Sequence, residues 1–111
     1  MKLKILLAVL SMSISIISYA SGSTGYRDIS HVQQRECYAN KGFQIVLASE
    51  HANPDQCSSS IVLEVSCDAP AYETFVSIAL AALVANKKVQ AFVAGCDSEG
   101  QAKVIALTLQ K

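Results

Sequence analysis

The chain has no tryptophan, two histidines, two prolines and few charged residues, nine basic against nine acidic in 111. Few aromatics and no run of lysine or arginine exclude the basic, aromatic-lined groove that binds single-stranded nucleic acid, and no basic patch marks a polyanion partner. There is no Gly-x-Ser-x-Gly around Ser58-Ser59-Ser60 and so no nucleophile elbow. There is no Cys-x-x-Cys, and the cysteines are too far apart for a zinc knuckle. His31 and His51 have no second histidine or carboxylate at helical ligand spacing, so both read as surface histidines rather than metal ligands or general bases. Asp55, Asp97 and Glu99 read as turn residues, without the apolar burial that splits carboxyl pKa values for acid–base work. These absences together point away from an enzyme, and no cofactor is implied.

Residues 1–20 have a basic start (Lys2, Lys4), an apolar run diluted with serines (Ile5 to Ile17) and a small-x-small end at Ser18-Tyr19-Ala20. This is the layout of a secretory signal peptide cleaved before Ser21. The run is short for a membrane span of ~20 residues, and no cysteine stands at the cleavage point for lipid attachment. Cleavage leaves one domain, 21–111, with seven basic residues against nine acidic, a net charge of −2. The expected location is the periplasm or the extracellular medium, with no membrane span after cleavage. Cys37, Cys57, Cys67 and Cys96 all lie in this domain, and an even count in a small exported chain reads as two disulfides.

The order of elements follows from hydrophobic periodicity. Gly25 to Tyr38 alternates loosely and reads as a long polar strand after a Ser21–Gly25 loop. Ala39-Asn40-Lys41-Gly42 is a turn in which Gly42 is expected to take a positive φ. Phe43 to Ser49 and Ser60 to Cys67 alternate cleanly as strands, separated by a loop with the turn initiator Asn53-Pro54-Asp55. Asp68 suits an N-cap and Pro70 a first turn, so the helix is expected over 70–85 with Asn86 closing it. Val89–Cys96 and Ala102–Leu109 are the last two strands, around a turn at Asp97–Gly100.

The order β-β-β-α-β-β is that of the OB-fold, a small Greek-key barrel. An open α+β sheet with the helix on one face is the alternative. Four cysteines permit three pairings. The OB order brings the ends of the first and third strands to one rim, which pairs Cys37 with Cys67. It brings the second-to-third loop beside the end of the fourth strand, which pairs Cys57 with Cys96.

The helix presents more than one apolar face. Tyr72, Phe75, Ala79 and Leu83 would pack on the sheet. Val76, Leu80 and Val84 form a second face, covered either by loops and the first strand or by another subunit of a homo-oligomer.

Asn53-Pro54-Asp55-Gln56-Cys57, the helix, Lys87-Lys88-Val89 and Val93-Ala94-Gly95-Cys96 together resemble a family of small exported bacterial proteins of unknown function. Its members carry an Asn-Pro-x-x-Cys loop and a Val-x-Gly-Cys strand end. That resemblance also implies a Cys57–Cys96 bridge. In architecture alone the chain is similar to the OB-fold B subunits of pentameric bacterial toxins, which bind glycans. The expected function is an exported, non-enzymatic binding or interaction domain with a protein or glycan partner. Its alternatives are a toxin-B-like glycan-binding oligomer and a periplasmic inhibitor or accessory factor.

Overall fold

The computed structural model describes residues 21–111, so the signal-peptide expectation lies outside the described residues. Six strands and one helix follow in the order β1 (Gly22–Arg27), β2 (Ile29–Tyr38), β3 (Lys41–Leu47), β4 (Val62–Ser66), α1 (Tyr72–Ala85), β5 (Val89–Cys96) and β6 (Ala102–Leu109). They form one sheet in the order β1-β5-β6-β4-β3-β2. Every pairing is antiparallel except the short parallel contact of β4 with β6, where Leu63 faces Ala102.

Strand alternation builds the core. Phe43, Ile45 and Leu47 face inward from β3, Leu63 and Val65 from β4, and Val89, Ala91 and Val93 from β5. α1 adds Phe75, Ala79 and Ala82 and packs against β2, β4 and β6. Full burial of Ile45 or Leu63 contributes roughly 1.5–3 kcal/mol each. The small Ala79 and Ala82, both fully buried, let the helix backbone approach the sheet closely.

The closed barrel expected from the element order is not formed; the sheet is open, as in the alternative reading. Its two edge strands, β1 and β2, are nevertheless consecutive in the chain, with Asp28 alone between them. The chain parts at Asp28. Residues before it follow β5, residues after it follow β3, and no ladder joins the two halves. The long polar strand expected from Gly25 is therefore two strands, the first starting inside the expected loop.

Three local expectations also change. Asp68 does not cap the helix. The N-cap is Ala71, without a side-chain cap bond, and Pro70 lies in the preceding turn. Asn86 is the C-cap, in the left-handed conformation, and its place there is as expected. Gly42 is not the positive-φ residue of the β2–β3 turn. Ala39 (φ 49°) and Asn40 (φ 64°) hold those positions, as a two-residue type I′ turn requires. Gly42 is needed for space instead. A Cβ there would stand 2.8 Å from Tyr72 Oη and 2.9 Å from Cys67 Cβ.

Both disulfides have the expected partners, Cys37–Cys67 and Cys57–Cys96. The first links the end of β2 to the residue after β4, passing over the start of β3 at Gly42. The second ties the β3–β4 loop to the end of β5. That loop reaches the far edge of the sheet, where Ala52 N–H donates to Thr24 O and Gly95 N–H to Asp55 Oδ2.

Candidate ligand-binding cleft

The core takes every second strand residue, so the alternate residues form the opposite face of the sheet. Register aligns Gln33, Gln44, Glu64 and Lys103 across β2, β3, β4 and β6 in one polar row. The β5–β6 turn, Asp97 to Gly100, folds over this row. Gln44 Nε2 donates to Gln101 Oε1 at 2.8 Å, and Lys41 Nζ lies 2.8 Å from Glu99 Oε1. Gly100, at φ +79°, lets the turn close against the β3–β4 loop, where Ser59 N–H donates to Gly100 O at 3.0 Å.

Between this turn and the Ala39–Asn40 turn lies a cavity of ≈ 420 Å³, lined by Asn40, Lys41, Glu64, Ser66, Asp97 and Lys103 among others. A smaller hollow of ≈ 300 Å³ adjoins it, sharing Ala39 and Lys41 and adding Arg35, Tyr38 and Glu99. Tyr38 is 82% exposed.

Glu64 is the deepest charged group here, 2% exposed. Its Oε2 accepts a hydrogen bond from Arg35 Nη2 at 3.0 Å. Its Oε1 has no partner among the described residues. Burial pushes its pKa above the usual carboxyl range. Arg35 opposes that rise, Asp97 adds to it, and the nearby Gln44 side chain and Gly42 backbone N–H, as weaker donors, also oppose it. Asp97 divides its oxygens in the same way. Oδ1 accepts the Glu99 and Gln101 N–H groups at 2.9 and 2.8 Å, whereas the buried Oδ2 is unpartnered among the described residues. Glu99, by contrast, is held below its usual range by its bond to Lys41 and by Arg35. Buried hydrogen-bonding atoms left unpaired cost roughly 1–3 kcal/mol each, and both of these oxygens are closed to solvent beneath the turn.

The residues singled out from the sequence fall elsewhere or change role. Asp55 fixes the end of β5 through Gly95 N–H. His31 is exposed as expected, its Nδ1 3.1 Å from Ser30 Oγ. His51 is not a surface histidine; it is buried. Its Nδ1 accepts from Asn53 N–H at 2.9 Å, and burial, then Arg27, push its pKa down. With that acceptor engaged, the neutral ring carries its proton on Nε2 and serves as a bracket for the loop. Among the described residues, the one grouping with metal-ligand proximity is Cys37, Cys67 and Asp68, and its sulfurs are consumed in a disulfide. Val76 packs against the core, which leaves Leu80 (42% exposed) and Val84 (87% exposed) as the outward part of the second helix face.

Sequence alternation placed Glu64 on the polar face of its strand. What it could not supply is the turn that covers that face. The detectable signal was a cross-strand row of polar residues ending at Lys103. No helix among the described residues is long and apolar enough to cross a membrane. No protein-family model matches the chain, and no curated protein or solved structure matches it.

Proposed function

We propose that the protein is an exported binding domain, not an enzyme, and that its ligand enters the cleft between the β2–β3 and β5–β6 turns. The observation that carries this is the pair of adjoining hollows between the two turns, lined by charged and polar side chains and by the exposed Tyr38. Two disulfides fit an oxidising compartment, and residues 1–20 have the sequence of a signal peptide.

An OB-like reading of the fold supports the location. The order β2-β3-β4-β6-β5 and the parallel β4–β6 contact support that reading, in which β1 and β2 would be the two halves of one divided strand. OB-folds are partly open and bind through the sheet face and the loops after their first and fourth strands. Those loops correspond here to the two turns that flank the cavity. The two segments that carry the resemblance to exported bacterial proteins are joined to each other by Cys57–Cys96. A binding role is favoured over catalysis because the polar groups are committed to structure: Glu64 to Arg35, Asp97 to its own turn, His51 to its loop.

Amide chemical-shift mapping with panels of oligosaccharides and short peptides tests the location. Saturable shifts at Asn40, Lys41, Ser98 and Lys103 are expected; shifts confined to other surfaces, or none, reject it. Amino-terminal sequencing of the exported protein should begin at Ser21.

A homo-oligomeric, toxin-B-like reading draws on the exposed Leu80 and Val84. It expects Leu80→Glu to give a folded monomer from an oligomer, while Leu83→Glu, half-buried, unfolds the domain. A monomeric wild type in light scattering rejects it.

A further inference from the structure

We infer that the β3–β4 loop is an acid-operated cover on the outer edge of β1, with the His51 imidazole as its catch. The cleft plays no part in this device, and either reading can fail without the other.

The loop runs along β1. That strand ends the sheet and pairs with β5 on one side. On its other side three contacts follow in step. Arg27 Nε donates to Glu50 O at 2.9 Å, and Ala52 N–H donates to Thr24 O at 3.3 Å. Pro54 then packs so near Gly22 that a Cβ on the glycine would stand 3.0 Å from it. Residues 50–54 therefore lie against 27–22 in antiparallel sense. An uncovered strand edge is a template for pairing with another extended chain, and here the loop occupies it. The covering segment is short and has fixed ends. Leu47 N–H donates to Ile61 O at its neck, and Cys57–Cys96 together with the Gly95 N–H to Asp55 Oδ2 bond holds its far side. The segment free to lift is Glu50–Pro54.

The closed cover requires a neutral ring. His51 is 5% exposed. Its backbone N–H donates to Ser60 O at 2.8 Å, and its Nδ1 accepts the Asn53 N–H at 2.9 Å. The ring proton thus sits on Nε2, which is buried and has no acceptor among the described residues. Imidazolium is a donor at both nitrogens. A second proton would set Nδ1–H against the Asn53 N–H, donor against donor, and would enclose a charge with nothing to compensate it.

The charged groups nearby give the cation no partner. Arg27, from β1, is itself a cation. Asp55 is engaged by Gly95 N–H, Glu50 is exposed to water, and the Asp28–Lys88 pair beyond the end of β1 is closed on itself. Burial, then Arg27, hold the ring below its ordinary pKa of 6.5. Lifting the loop hydrates the ring and restores that ordinary value, so proton uptake favours the open form. Above 6.5 the ring is neutral in both forms and the cover stays shut. As pH falls below 6.5 the open form gains up to about tenfold per unit, until the lowered native value is reached. The edge of β1 is hidden at neutral pH and offered in acid.

Amide hydrogen exchange on the disulfide-bonded protein, from about pH 5 to 7.5 and corrected for the intrinsic rate, reads the opening constant. Opening at His51, Ala52 and Asn53 should rise by up to about tenfold per pH unit below the ordinary histidine value. Ile45 and Val65, in the core, should stay more protected at every pH. His51→Asn offers an amide oxygen where Nδ1 stands and takes up no proton, so its opening constant should be flat over this range. His31→Gln removes the exposed histidine and should keep the wild-type slope. Where His51→Asn fails to fold, ring titration of the wild type decides: the His51 ring protons and the Ala52 and Asn53 amides should share one midpoint below the ordinary value. A flat wild-type profile overturns the proposal. So does a slope that survives His51→Asn or disappears in His31→Gln, a pair of unrelated midpoints, or core amides that open as readily as the loop.

Discussion

Replacing Arg35 with methionine isolates the buried ion pair. Arg35 is 27% exposed and Glu64 2%, and their contact is 3.0 Å. Removing one member of a fully buried pair costs roughly 3–5 kcal/mol, because the other charge is left uncompensated. The guanidinium is partly solvated, and its second contact, with exposed Glu99, adds little. About 2 kcal/mol at pH 7 is therefore expected, a fall of about 8–16 °C in Tm for a domain of this size. The pH dependence is the sharper signature. Burial raises the Glu64 pKa in the native state above its ordinary value of 4.5. The unfolded chain thus releases this proton first. The group's contribution to stability is complete below that ordinary value and is lost as pH rises through the raised native value. Arg35 limits the rise, so Arg35→Met widens the window and deepens the loss. Near pH 4, below that ordinary value, the penalty should shrink below ~1 kcal/mol, because Glu64 is then mostly protonated in both states. Adding Glu64→Leu should restore most of the Tm at pH 7, since replacing a whole buried pair by apolar groups is often neutral. Thermal melts of the three proteins from pH 4 to 8 decide. An Arg35→Met deficit equal at both ends of the range would refute the reasoning.

Peptide mapping without reduction should recover Cys37 with Cys67 and Cys57 with Cys96, and a Cys57–Cys67 peptide would contradict the fold. Replacing Cys57 and Cys96 together by serine should cost about 4 kcal/mol by the loop-entropy estimate for a separation of 39 residues, read as a lower denaturant midpoint. His51 is buried with a lowered pKa, so its contribution is present above its ordinary value of 6.5 and is lost as pH falls below it toward the lowered native value. His51→Gln should flatten the decline of Tm in that interval, and an unchanged slope would place the proton uptake elsewhere. Gly42→Ala should destabilise by about 1–3 kcal/mol through overpacking, because its Cβ would press on Tyr72 and Cys67; a wild-type melting temperature would show that both neighbours can move aside.

The elements with long, regular patterns were legible in the sequence. β5 and β6 run from Val89 to Cys96 and from Ala102 to Leu109 as the alternation predicts, and the helix ends at Asn86. β1 was not legible. Gly22-Ser23-Thr24-Gly25 has no apolar side chain and reads as a loop. It is a strand because β5 offers it a ladder, and buried Thr24 Oγ1 accepts the Ala91 N–H at 3.0 Å. The helix start was misplaced because Asp68 and Pro70 have capping chemistry but are held in a turn, where Asp68 N–H donates to Ser66 Oγ. The cleft was the least legible part. Its acids lie on two separate segments, β4 and the β5–β6 turn, and only the fold of the Asp97–Gly100 turn over β3 and β4 turns an ordinary polar strand position, Glu64, into a buried one.

The parting of the chain at Asp28 sets a timetable for folding. β1 is the first described segment made and the last that can be used, since Thr24 waits for Ala91, 67 residues further along. Pairings of such long sequence separation slow folding toward the millisecond-to-second range. Until β1 arrives, β5 is an unpaired sheet edge, open to pairing with another chain. On the proposed export route, a chain emerging amino-terminus first into an oxidising compartment could not complete its sheet, or join Cys57 to Cys96, until nearly all of it had crossed. It would therefore stay threadable through most of its transit and close only near the end.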